Sequence, residues 1–551
     1  MKTLFKKSNL VLLLALAYSQ FGYAETITLN GSSVTPANIN AIAQGATVAI
    51  DDKAKKRAED SFDVLLEAAK TGQKIYGFTV GVGWNKDKTF VNAKGELSPE
   101  LIQSSIDFNK GLIRAHVGAV GKPLPIDTVR AILATRLNML LTGSPGIQPA
   151  YLQTYVDMLN KNVIPVVPAK GSIGQADITV LGHVALNMIG EGEVYYNGKK
   201  MPAKEAFAAA GIKIVDPYGK DALAILSTNA LSLGLASEAV AKLKQLVKMQ
   251  SLVYALSLEA LDGNVSPILA DNVEQKGFTY GINTAKTIRG HLNGSYLWQQ
   301  SEERAVQDPL SFRDAQWIMS TLDEATDRAA AKLTTQLNHG DDNPTIAVGV
   351  TAAGNDNAES YEVKKRYVAG KGALFSASNF DPTPWVLDFE YATIALAHNA
   401  NAASQRIIKM NNPRFTHLSR FLGGEKTYHA FGAMEKPFVS LTREIQMLAN
   451  PASVASMSVA GSIEDVATNA PLVVSRLNTA ADDYAYVLAM ELLHAAQAID
   501  LRLQKNPDLA LGKATQKLYK AFREKVAFLS EDRPLSADFE AAAAFIMDYQ
   551  P

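Results

Sequence analysis

Apolar residues along the chain recur mostly at helical spacing. Asp51-Asp52 can cap a helix whose apolar face is Ala58, Phe62, Leu65, Leu66 and Ala69, and Gly72 stops it. Residues 230–261, rich in Ala and Leu, predict one long helix. Residues 481–504 predict another, with Leu488, Glu491, Leu492 and Ala495 at helical spacing. Strand-like alternation is short and rare. It occurs at Thr26–Leu29 and at Gly192–Tyr196, the latter followed by an Asn197-Gly198 turn. Helices that are apolar around most of their circumference must bury several faces at once. The pattern therefore predicts a mainly α protein, a long-helix bundle extended by oligomerisation, with a small mixed α/β region near the N-terminus. The expected division is an N-terminal loop-bearing segment, 25–228, and a helical bundle, 229–551. Two glycine-bearing loop regions stand apart, 76–96 and 349–372, and the second reads as a surface insertion.

The first 24 residues read as a leader rather than part of the fold. Lys2, Lys6 and Lys7 precede a short apolar run, Leu10 to Ala17, and Gly22-Tyr23-Ala24 presents small residues where a signal peptidase reads them. Cleavage is expected before Glu25. An uncleaved anchor would need about 20 apolar residues, more than this run supplies, and no later segment reads as long and apolar enough to span a membrane.

Composition narrows the function. Lys+Arg number 54 against 55 Asp+Glu, so no broad basic surface exists for nucleic acid. There is no cysteine, which excludes disulfides, thiolate metal sites and cysteine nucleophiles together. A cysteine-free exported protein suits an oxidising compartment, and the periplasm is the expected location. The histidines show no His-x-x-x-His spacing, and no metal is expected.

Four stretches carry more specific information. They are Ile75-Tyr76-Gly77-Phe78-Thr79-Val80-Gly81-Val82-Gly83; Gly171-Ser172-Ile173-Gly174 running on to Leu181-Gly182-His183; Val306-Gln307-Asp308-Pro309-Leu310-Ser311-Phe312-Arg313; and Asp342-Asn343-Pro344 with the later Asn379-Phe380. In this order and spacing they resemble the histidine/phenylalanine ammonia-lyase superfamily. The resemblance covers about Tyr76 to Asp465. It implies a helical homotetramer whose active sites combine loops from three subunits, and a small amino acid or betaine as substrate, with neither nucleic acid nor membrane as partner.

The departures from that family are equally specific. Its prosthetic group, methylidene-imidazolone, forms from an internal Ala-Ser-Gly. Here the stretch is Gly174-Gln175-Ala176-Asp177, one residue shorter, with no serine to dehydrate and no glycine to allow the tight cyclisation. Ser172 is followed by Ile173, the wrong neighbour. The family's Asn-Gly-Thr is Ser227-Thr228-Asn229, so its assisting asparagine is displaced to Asn229, and the tyrosine after Asp-Pro is Leu310. No cofactor is therefore expected. A substrate with its own leaving group needs no such electrophile. A trimethylammonium leaves unaided, and a thioimidazole acidifies the neighbouring β-carbon. The chain looks like the superfamily branch that acts this way, the ergothionases, which release trimethylamine from ergothioneine to give thiourocanate.

The resemblance assigns roles by position. Tyr76 would be the base, which calls for a nearby cation or donor to lower its pKa. Lys436 and Glu464 would form an acid/hydrogen-bond pair on the ring or its sulfur. Arg313 would clamp the carboxylate with Asn343 assisting. Gln307 and Phe380 would shape the pocket, and His116 would favour a histidine-like ring. Two alternatives stay open: a conventional aromatic amino acid ammonia-lyase using another electrophile, and a non-catalytic periplasmic binding protein for amino acids or betaines.

Overall fold

The computed structural model describes residues 25–89, 95 and 98–551; the expected leader lies outside these. The chain is mainly helical. Its centre is a bundle of five helices, Ala230–Leu261, Ala315–Leu337, Thr383–Met410, Glu435–Leu448 and Ala470–Lys505. The Ala230–Leu261 and Ala470–Lys505 helices pack along each other, and the others wrap them. Their small Ala and Ser positions let backbones approach closely, while Leu and Val fill the space between. One apolar core joins Ile27 near the start to Ile546 near the end.

The segment Asp221–Leu261 corrects one sequence expectation. By length and composition it could cross a membrane, but 94% of its apolar window is buried inside this protein. A helix apolar on all sides is accounted for by being enclosed on all sides. The Ala470–Lys505 helix also begins earlier than its periodicity predicts. Pro471 occupies its first turn and Asn469 turns into it at φ 51°, a start favoured by proline's fixed φ.

Elements near the N-terminus follow the pattern closely. Asp51 caps the helix Asp52–Lys70 by accepting the Ala54 N–H, and Phe62, Leu65 and Ala69 are buried as the spacing requires. Strand Thr26–Leu29 pairs in parallel with Thr47–Ile50. Glu193–Tyr196 forms a hairpin with Lys199–Pro202 across Asn197-Gly198. The 349–372 insertion is partly ordered by strands. Gly372–Phe375 pairs with Thr345–Val348 on one side and Tyr367–Val368 on the other. Ile346, Val368 and Leu374 from this sheet join Phe62, Leu65, Ile75 and Phe78 in a second apolar cluster. That cluster anchors the base of the Tyr76 loop.

A buried ion pair crosses the bundle. The Arg406 guanidinium meets the Glu491 carboxylate at 2.5 Å (Nε–Oε1) and 2.7 Å (Nη2–Oε2), with both side chains 1% exposed or less. Arg406 also donates to the Ser311 carbonyl at 3.3 Å, and the Tyr254 hydroxyl donates to the Phe312 carbonyl at 2.7 Å. These bonds tie the short helix Leu310–Arg313 to the bundle core.

Candidate active site

A cavity of about 580 Å³ gathers Tyr76, His116, Asn343, Phe380 and Glu464 from five separate segments. The Tyr76 loop is held by its own backbone: Phe78, Thr79 and Val80 N–H groups all donate to the Ile75 carbonyl, and Thr79 Oγ1 accepts the Ile75 N–H at 2.7 Å. Tyr76 is half-buried, and its hydroxyl oxygen accepts the Gly83 N–H at 2.8 Å. Burial pushes the phenol above its ordinary range. The Glu464 carboxylate acts in the same direction, while the Gly83 N–H opposes both. The lowered pKa that a base calls for is thus not the direction found in this chain.

Glu464 sits on a tight loop. Val459 and Glu464 exchange backbone hydrogen bonds at 2.9 and 3.4 Å across Ala460, Gly461 and Ser462, which have φ of 50°, 65° and 66°. Burial raises the Glu464 carboxyl, and the neighbouring His116 partly offsets this. His116 ends the helix Pro99–His116, and its Nδ1 lies 2.7 Å from the Leu112 carbonyl. That contact assigns the proton to Nδ1 and leaves Nε2 for the cavity.

Asn343 Oδ1 accepts the Ala377 N–H at 3.0 Å. Beneath it lies a buried charge cluster. Arg136 bridges Asp341 at 3.0 Å and Asp342 at 2.8 Å, and Lys220 Nζ donates to the Pro145 and Pro344 carbonyls at 2.6 and 3.1 Å. Buried charges paired and hydrogen-bonded in this way hold a loop in one geometry.

The stretch Gly174-Gln175-Ala176-Asp177, which stands where the family it resembles carries Ala-Ser-Gly, lies against the cavity through Gln175 and Ala176. The residues present do not fit the methylidene-imidazolone that forms from Ala-Ser-Gly. Ser172, the nearest serine, donates its hydroxyl to Asp177 Oδ1 at 2.6 Å and is followed by the β-branched Ile173. Asp177 also accepts the Ser232 N–H at 2.9 Å and its hydroxyl at 3.0 Å. Thr228 Oγ1 and the Asn229 N–H both donate to Asp341, at 2.7 and 2.6 Å, and the Asn229 side-chain amide donates to the Phe380 carbonyl. Ser227, rather than Asn229, lines the cavity.

Burial pushes the Asp177 carboxyl up to about 6, against the hydrogen bonds from Ser172 and Ser232. The unfolded carboxyl titrates near 3.8. Between these values the unfolded chain has lost the proton that the folded chain keeps, so this group's stabilisation fades as pH rises through them. Asp177→Asn is expected to gain stability relative to the wild type as pH rises from about 4 to about 6. Above that the difference should be flat. Chemical denaturation across pH checks this; a gap that does not change with pH would refute it.

Three assigned residues lie elsewhere in the chain. Gln307 and Arg313 line a cleft of about 280 Å³ with Asp308 and Trp317, and Arg313 Nη1 donates to Gln307 Oε1 at 2.5 Å. Lys436 opens the helix Glu435–Leu448 in a third cleft of about 610 Å³, beside Arg420 and His429. There Asp532 accepts the N–H groups of Tyr428, His429 and Ala430 at 2.8, 3.0 and 2.9 Å. Lys436 and Glu464 do not share a cavity within one chain. The Tyr76 cavity also contains charged groups that sequence reasoning missed, Lys86, Asp381 and Asp465. Two of them directly follow named motif residues, Phe380 and Glu464, which was the available signal.

The sequence profile described as aromatic amino acid lyase matches residues 34–524. A histidine ammonia-lyase of Treponema denticola is 33% identical over 531 residues, covering 94% of this chain and 96% of its own. The crystal structure of an ergothioneine-degrading ergothionase from Treponema denticola superposes with a TM-score of 0.83 at 36% identity, covering 95% of this chain and 98% of that one. Tyrosine aminomutase from Streptomyces globisporus superposes with a TM-score of 0.83 at 26% identity, covering 95% and 97%.

Proposed function

The chain belongs to the aromatic amino acid lyase family and is a carbon–nitrogen lyase, and from that premise we propose that it eliminates trimethylamine from ergothioneine without an internal electrophile. The observation that carries this reading is the 172–177 stretch. Its only serine is engaged by Asp177, and no Ala-Ser-Gly is present to cyclise. The structural likeness to an ergothionase supports the same substrate.

The elimination breaks the β-carbon–hydrogen bond and the α-carbon–nitrogen bond and forms the carbon–carbon double bond between them. The proton goes to the Tyr76 oxygen, and the nitrogen leaves as neutral trimethylamine with the bonding pair. Tyr76 must act as phenolate, yet burial raises its pKa in the free chain. The substrate's trimethylammonium supplies a cation that works against that burial. Glu464 and His116 line the same cavity and would hydrogen-bond the ring as charge moves into the thioimidazole.

Arg313, Gln307 and Lys436 occupy other clefts of the same chain. In this reading they complete the site from neighbouring copies of a homotetramer. Arg313 then clamps the carboxylate in two-pronged fashion, and Lys436 joins Glu464 at the ring. Residues 1–24 act as a cleaved leader that delivers the enzyme to the periplasm.

The test is direct. Protein incubated with ergothioneine should release trimethylamine and develop the absorbance of a conjugated thioimidazole acrylate, while histidine, phenylalanine and tyrosine release no ammonia. Its intact mass should show no loss of two waters. The Treponema denticola relative named histidine ammonia-lyase favours the other outcome, ammonia from histidine. That result, or a mass short by two waters, would overturn the proposal.

A further inference from the structure

We propose that Trp84 and Gly461 form a latch that couples the loop holding the Tyr76 hydroxyl to the loop presenting Glu464, with Trp84 as a positioning residue. The inference rests on the reading that Tyr76 and Glu464 serve one substrate.

The indole of Trp84 lies against the bare α-carbon of Gly461. A Cβ at that position would stand 2.4 Å from Trp84 Cε3, 2.9 Å from Cζ3 and 3.1 Å from Cδ2. Carbon atoms pack at about 3.5–4 Å, so any side chain at 461 would displace the ring. Gly461 is also the middle of three left-handed residues, flanked by Ala460 and Ser462, both of which pay for that conformation with a Cβ. Such a run persists only where its surroundings over-determine it. The Val459–Glu464 hydrogen bonds close it on one side, and the indole covers it on the other.

The second half of the latch is local to Trp84. The single turn Gly83–Asn85 is closed by the Asn85 N–H on the Val82 carbonyl and the Lys86 N–H on the Gly83 carbonyl, at 3.0 and 3.1 Å. The Gly83 N–H in that same turn is the donor to the Tyr76 hydroxyl oxygen at 2.8 Å. A shift of the indole therefore carries with it the group that fixes the Tyr76 oxygen. Trp84 is itself 72% exposed. Its ring adds little to the core, which separates a positioning role from a structural one.

Hydrogen–deuterium exchange and steady-state kinetics on the full protein, Trp84→Ala and Trp84→Phe test the latch. Trp84→Ala should raise exchange in 81–89 and 459–466 together, leave the Ala230–Leu261 helix and the melting temperature unchanged, and lower kcat on ergothioneine by about 10- to 100-fold. Trp84→Phe should restore most of the protection. Gly461→Ala should cost less in the Trp84→Ala background than in the wild type. Faster exchange confined to 81–89, or Gly461→Ala and Trp84→Ala effects that simply multiply, would overturn the latch. If both segments loosen while turnover is kept, the latch stands and the shared-substrate reading of Tyr76 and Glu464 fails. If the wild type does not turn over ergothioneine, exchange alone decides the latch.

Discussion

Tyr76→Phe is expected to lower turnover of ergothioneine by about 10²- to 10⁴-fold, the range a positioned general base contributes. The substitution keeps the ring and removes only the oxygen. Among the described residues that oxygen accepts the Gly83 N–H, on a turn open to solvent. Water can replace it, so the melting temperature should move little. The loss should fall on kcat, since the β-proton is transferred only in the transition state. The pH profile gives a second reading. Only the phenolate accepts the proton, and burial places the phenol above its ordinary range. The wild-type kcat/KM should therefore climb as pH rises toward the phenol pKa, and Tyr76→Phe should lose that limb. Turnover kept to within tenfold would move the base to another residue of the cavity.

Removing either partner of the Arg406–Glu491 pair is expected to cost about 3–5 kcal/mol of stability, because the other charge stays buried without its counterion. Both side chains are enclosed, and Ser257 Oγ adds a hydrogen bond to Glu491 Oε1 at 2.9 Å. The Arg406 guanidinium also lies 5.4 Å from the Tyr254 ring centroid. Glu491→Gln and Arg406→Met test the two sides, read by denaturation at matched protein concentration. The double variant Arg406→Met/Glu491→Leu should lose less than the sum of the singles, since it leaves no orphaned charge. The Arg406 variants should also raise KM. Arg406 holds the Ser311 carbonyl, two residues from Arg313, and loosening Arg313 would weaken the carboxylate clamp proposed for it. A single-variant cost below about 1 kcal/mol would mean the core relaxes to admit water.

How far the site could be read from sequence differs residue by residue. The Asp52–Lys70 helix and the Glu193–Tyr196 hairpin were legible because their signals are local: a cap, a period and an Asn-Gly turn. Tyr76 and Phe380 could be named from short motifs that fix backbone geometry within a few residues. Asp381 and Asp465 were passed over, though each adjoins a named residue. Their role depends on the cavity they face, which no local pattern encodes. The direction of the Tyr76 pKa was also out of reach, since it depends on burial and on a carboxylate from the far end of the chain.

The sequence by itself determined the helical class, the family and the absence of the Ala-Ser-Gly that an internal electrophile requires. These follow from residue identity and short-range periodicity, and they survive any arrangement in space. Only the tertiary structure decided that Tyr76, His116, Asn343, Phe380 and Glu464 share one cavity while Arg313 and Lys436 stand in two others. Only the tertiary structure laid Trp84 on Gly461. Long-range contacts of this kind are set by the way helix faces pack, and packing is a property of the whole core that no segment carries alone.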